Sequence, residues 1–204
     1  MSYLRNLILW AVAAAPLASR AEITGVQCTS DSYLQSHYYW NYADAISMTA
    51  DQYSAATMQG TIWTDSPEDP TLTIGLTINN DTGFPWTAYH INVSMSQVFT
   101  ISSPTVANPG WTAVIQQQPV WNGSTYLGQL EFTGGSPVGL DQLLSLSYQI
   151  TFTGATQYAF GQELIPVPEP SPASLLALAG LLLFAHPIRA RLFAAPETAA
   201  AGKL

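Results

Sequence analysis

Between Thr71 and Asn79 the chain alternates without a break, with Leu72, Ile74, Leu76 and Ile78 on one side and Thr73, Gly75 and Thr77 on the other. Successive side chains of an extended strand point to opposite faces, so this run makes one apolar face and one small polar face. Tyr89, Ile91, Val93 and Met95 repeat the pattern, and so do Leu144, Leu146, Tyr148, Ile150 and Phe152. Weaker alternation predicts strands at 46–53, 59–63, 98–102, 112–117, 126–133 and 157–162. Turn clusters separate them: Asp65 to Pro70, Asn79 to Gly83, Asn108 to Gly110, and Gly134 to Pro137. Asn122-Gly123, between Val120-Trp121 and Tyr126-Leu127, reads as a hairpin turn. The Tyr- and Trp-rich stretch from Asp31 to Tyr42 reads as an irregular or weakly helical lead-in. Many short strands and no helical pattern of any length in the middle imply an all-β fold. The expected form is a two-layer antiparallel β-sandwich, Ig-like or jelly-roll-like, over 43–163, with a closed barrel as runner-up. Its core is expected to hold Leu72, Ile74, Leu76, Ile78, Ile91, Val93, Leu146, Tyr148, Ile150 and Phe152.

Charge then limits what such a domain can bind. The chain has five basic residues, Arg5, Arg20, Arg189, Arg191 and Lys203, and none lies between Glu22 and Pro170. That segment holds twelve of the thirteen acidic residues, all but Glu197. Nucleic-acid binding needs cations to displace counterions from phosphates, so nucleic acid is excluded as a partner. Stability must come from apolar burial and hydrogen bonds, while the acidic charge keeps the domain soluble. The one cysteine, Cys28, forms no internal disulfide and reads as a partly buried thiol.

The two ends read as sorting signals. Arg5, the apolar run Leu7 to Ala15 and the small-x-small Ser19-Arg20-Ala21 form a signal peptide over 1–21, with cleavage between Ala21 and Glu22. An exported domain follows over 22–165. Prolines 166, 168, 170 and 172 fix φ and bias the residues before them toward extended geometry. The segment is therefore expected to be polyproline-like and exposed. Beyond it, Ala173 to Ala185 is apolar all round and reads as a short lipid-facing helix, with Arg189 and Arg191 on the cytoplasmic side. Residues 192–204 form an Ala-rich tail.

Val167-Pro168-Glu169-Pro170, the apolar run and the two arginines together resemble the C-terminal region of PEP-CTERM proteins. Bacteria export such proteins and hand them to a membrane protease, exosortase. The resemblance covers 166–191 and implies a sorting motif at Val167, Pro168, Glu169 and Pro170 with its basic patch at Arg189 and Arg191. It implies an inner-membrane anchor before processing and a destination at the cell surface or in the extracellular matrix. It also implies exopolysaccharide as a partner. The chain departs from the pattern in its tail after the basic cluster and in Pro187 just before it. The segment Leu76 to Ile91, with its Asn-rich turn and Trp86-Thr-Ala-Tyr-His90, resembles ectodomains of the same family that have no assigned function, and it carries no catalytic residue across.

Chemistry-bearing motifs are sparse. Gly134-Gly-Ser-Pro-Val-Gly139 has the wrong spacing for a nucleophile elbow, and there is no His-Glu-x-x-His, Cys-x-x-Cys or phosphate loop. No catalytic residue, cofactor or metal is expected, and the domain reads as non-enzymatic. The alternatives are a carbohydrate-binding module using Trp63, Trp86, Trp111 or Trp121, and a secreted glycosidase using acids such as Glu131 and Asp141. Zinc would need His37 and His90 with Asp44 or Asp51. Calcium would need the loop oxygens of Asp65, Glu68 and Asp69 or of Asn79, Asn80 and Asp81. Turn chemistry explains those loops equally well. Asn80, Asn92 and Asn122 each open a glycan acceptor pattern.

Overall fold

The computed structural model describes residues 20–40 and 44–170. Eleven strands form two packed sheets: β1 (Ile23–Ser30), β2 (Leu34–Trp40), β3 (Ala45–Gln52), β4 (Ala56–Thr64), β5 (Thr71–Asn80), β6 (Trp86–Met95), β7 (Phe99–Val106), β8 (Trp111–Trp121), β9 (Tyr126–Val138), β10 (Leu143–Phe152) and β11 (Gln157–Pro168). The six-stranded sheet runs β1-β4-β11-β6-β9-β8 and the five-stranded sheet β2-β3-β5-β10-β7. The fold is a β-sandwich.

The alternating runs became β5, β6 and β10, and all ten expected core residues are buried. Three expectations need correction. Residues 34–40 are a strand rather than an irregular lead-in, and β1 before them was not anticipated, so the sandwich begins at Ile23 instead of 43. It ends at Pro168 instead of 163. Nor is every strand pair antiparallel, because β3 runs parallel to β5, in register from Ala45 opposite Thr73 to Gln52 opposite Asn80. Between them β4 crosses into the other sheet, so the chain returns beside β3 in the same direction. Two antiparallel neighbours can be joined by a tight turn, whereas a parallel pair needs such a crossover.

Close approach of β1 to β4 depends on Gly60. A Cβ there would stand 2.2 Å from the Gln27 carbonyl oxygen and 3.0 Å from Cys28 Sγ. Cys28 is buried beside it, and burial pushes its thiol up to about 11. The Asn122-Gly123 hairpin forms as expected, with Gly123 at φ 100° and Asn122 Oδ1 accepting from the Ser124 and Thr125 amides at 3.0 and 2.9 Å.

Two polar bridges cross the interior. Tyr89 of one sheet donates to Gln52 Oε1 of the other at 2.5 Å, and Gln52 Nε2 donates to the Ser54 and Leu164 carbonyls at 2.7 and 3.0 Å. Tyr148 donates to Gln162 Oε1 at 2.7 Å, while Gln162 Nε2 has no acceptor. Burial raises both tyrosine pKa values well above the ordinary range, so the phenols stay protonated donors.

Candidate functional site

Val167-Pro168-Glu169-Pro170, the segment expected to carry a sorting motif, continues the last strand of the sandwich. Val167 lies opposite Ala88 and Pro168 opposite Trp86 in the β11–β6 ladder. Thr87 Oγ1 donates to the Pro168 carbonyl and the Glu169 amide to the Pro85 carbonyl, both at 3.3 Å. Pro166 is buried and Val167 half-buried, whereas Pro168, Glu169 and Pro170 are exposed. The polyproline expectation is therefore corrected for 166–168, which pair as strand. Proline is tolerated there because β4 leaves β11 at Leu164, making the remainder an edge. Arg189, Arg191 and the apolar run from Ala173 to Ala185 lie outside the described residues, as do 1–19.

At the other end Ala21 is buried and Glu22 exposed. The Glu22 amide donates to Asp65 Oδ1 at 2.7 Å, and the Asp65 amide returns a bond to the Glu22 carbonyl at 3.0 Å. The first residue after the expected cleavage point is thus fastened to the β4–β5 turn.

A second feature lies on the outer face of the six-stranded sheet, where β8, β9 and β6 send polar side chains and β11 sends Ile165 into one shallow groove of about 490 Å³. Glu131 lies opposite His90 in the β6–β9 ladder, with Glu131 Oε1 3.5 Å from His90 Nε2. Gln116 Nε2 of β8 donates to the other carboxylate oxygen. One row along, Asn92 is flanked by Gln129 and Glu163, and its Nδ2 donates to Glu163 Oε2 at 2.7 Å. The exposed Val114 and half-buried Ile165 supply apolar surface beside these rows. Amides, carboxylates and one imidazole give donors and acceptors in a fixed lattice with no Lys or Arg. Such a surface matches a neutral, many-hydroxyl ligand and repels an anionic one.

Glu131 points outward, as its position between buried Leu130 and Phe132 predicts. Asp141 lies on the β9–β10 turn at φ 57°, bonded through its amide to the Asn80 carbonyl, so the two acids do not share the groove. His37 and His90 lie on different sheets, and no group of three or more His, Cys, Asp or Glu among the described residues is placed to hold a metal ion. Asn80 is buried and serves the loop instead. Its Nδ2 donates to the Phe84 and Val138 carbonyls at 2.9 Å, and its Oδ1 accepts from the Thr82 amide and hydroxyl. Thr82 Oγ1 in turn accepts from Trp86 Nε1 at 2.8 Å. The Asn-rich turn before Trp86 is thereby a structural brace.

Asp81 beside it has its pKa raised, first by desolvation and then by the nearby Asp51 and Asp141. Of the four tryptophans considered for sugar stacking, Trp86 and Trp111 are buried, Trp63 is half-buried and Trp121 is exposed against Tyr126, ring centres 5.2 Å apart. The grouping of His90, Asn92, Gln116, Gln129 and Glu163 around Glu131 carries no local signal in the sequence, because the register of four strands creates it. No family model matches the chain, nor does any curated protein or solved structure.

Proposed function

We propose that this chain is an exported, non-enzymatic cell-surface or extracellular-matrix protein. In this reading an Ig-like or jelly-roll-like domain is anchored in the inner membrane by a C-terminal helix. An exosortase-type protease then sorts it through Val167-Pro168-Glu169-Pro170, with Arg189 and Arg191 as the basic patch. The observation that supports it is the placement of the motif: the domain closes at Pro168, and Pro168, Glu169 and Pro170 stand exposed where the chain leaves it. Association with exopolysaccharide completes the reading.

Changing Glu169 and Pro170 to alanine, in a host that carries the sorting protease, tests it. The variant should accumulate in the membrane fraction at a larger size than the wild type. Unchanged size and fraction would contradict the reading.

The groove on β6 and β9 favours a second reading, in which the domain itself binds a neutral glycan. Replacing Glu131 and Asn92 by alanine should then abolish retention on a neutral polysaccharide column while sorting proceeds normally. Retention equal to that of the wild type would remove this reading.

A further inference from the structure

Beyond Asn92, on the same outer face of the six-stranded sheet, the polar rows continue into a second hollow. The first groove lies toward His90 and Glu131, and the cross-strand row of Thr57, Glu163, Asn92 and Gln129 bounds it on one side. On the other side of that row a hollow of about 150 Å³ opens over β4, β11 and β6, and Asn92 lines both. Its floor is Gly161, which lies between Gln59 of β4 and Ser94 of β6. A Cβ at Gly161 would stand 2.7 Å from Ser94 Oγ, so any other residue there would begin to fill the hollow.

The two hollows are built alike. The first sets half-buried Ile165 beside the polar atoms of His90, Gln116 and Glu131. The second sets half-buried Leu127 beside Ser94, Gln59 and Thr57, with exposed Val120 opposite Leu127 in the β8–β9 ladder. A pyranose ring has an apolar C–H face and a rim of hydroxyls, and each hollow offers a surface to both. Asn92 and Glu163, joined at 2.7 Å, stand between them.

Spacing decides how much of a ligand this face can hold. The hollows are offset by one two-residue step along the strands and by one to two strands across them. With a rise of about 3.4 Å per residue and about 4.8 Å between strands, their centres lie about 10 Å apart. Two residues of an extended, equatorially linked pyranose chain cover that distance, and rings two apart in such a chain turn the same face to the sheet. Glu131 and Glu163 flank the path, and no Lys or Arg lies between Glu22 and Pro170, so a uronic-acid or sulfated chain is repelled.

We propose that this face binds an extended, unbranched chain of neutral, equatorially linked pyranoses. One ring lies over Ile165, the next crosses Asn92 and Glu163, and a third lies over Gly161 against Leu127. Asn92 and Glu163 supply acceptors to the hydroxyls of the middle ring. This occupant presupposes the glycan reading of the groove and narrows it from a single sugar to a chain. It does not depend on the sorting reading.

The test is calorimetric titration of the full chain with neutral, β-linked glucose, mannose and xylose oligosaccharides of increasing length. In the series that binds, affinity should rise by about tenfold from disaccharide to trisaccharide, the worth of one or two added hydrogen bonds, and change little beyond. Gly161→Val and, from the facing wall, Ser94→Phe should each bring trisaccharide affinity down to that of the disaccharide, with thermal melts checking that both variants fold. Affinity independent of length, or a trisaccharide gain that survives both variants, would overturn the chain while leaving the glycan reading of the groove in place. No binding at any length would remove both.

Discussion

Gln52 and Gln162 put the same side chain in the same interior, with different degrees of satisfaction. Gln52 accepts one hydrogen bond and donates two, so Gln52→Leu takes away the Tyr89 hydroxyl's acceptor and the donor to the Ser54 and Leu164 carbonyls. A stranded buried polar group costs about 1–3 kcal/mol, and this variant should lose about 3 kcal/mol in urea denaturation. Gln162→Leu strands the Tyr148 hydroxyl but also removes an amide nitrogen that had no acceptor, so its loss should be smaller. Equal losses would mean that the bridge geometry is wrong. Asp81 gives a second residue-scale test. Its folded-state pKa is raised, so the folded protein holds this proton more tightly than the unfolded chain does. The group therefore adds stability as pH falls through its raised value, and that stability is lost as pH rises above it. Asp81→Asn, which mimics the protonated form, should be more stable than wild type at neutral pH, with the gap closing on acidification below the usual carboxylate range. Thermal melts of both proteins across that range decide it, and a gap that does not change with pH would count against the cluster.

At the level of elements, legibility followed burial of one face. β5 buries Leu72, Ile74, Leu76 and Ile78 and leaves threonines and Gly75 half-exposed, so the alternation written in the residues is the alternation in space. β1 buries only Ile23 and Cys28 with a bulge between them, and β2 only Leu34, which leaves no period to read. The outer groove was illegible for another reason: Glu131 meets His90, and Asn92 meets Glu163, only after distant strands choose their register. Register itself is testable, because a slip of one residue would reverse every face. Fully burying an aliphatic side chain stabilises by roughly 1.5–3 kcal/mol, and a buried unpaired charge costs more. Ile74→Asp should therefore unfold the domain. Thr73→Asp, on the half-exposed face where Thr73 accepts from Gln149 at 3.3 Å, should be mild. Circular dichroism during denaturation separates the two, and equal tolerance would refute the strand register.

For the molecule as a whole, the absence of any Lys or Arg between Glu22 and Pro170 gives the two proposed cleavages a physical consequence. Cutting after Ala21 turns the Glu22 amide that faces Asp65 into an ammonium, the one fixed cation of the released domain. Asp65→Asn should then destabilise the mature protein more than the uncut chain, as unfolding of the two forms side by side would show. Both ends of the sandwich domain are held by the fold, Glu22 by the β4–β5 turn and Glu169 by Pro85. The measurement that bears most directly on the sorting account is the intact mass of the protein recovered from the cell surface or culture medium of a host carrying the sorting protease. The account predicts a chain that begins at Glu22 and ends within or just after Val167-Pro168-Glu169-Pro170. A mass that includes Met1 and Leu204 would contradict it.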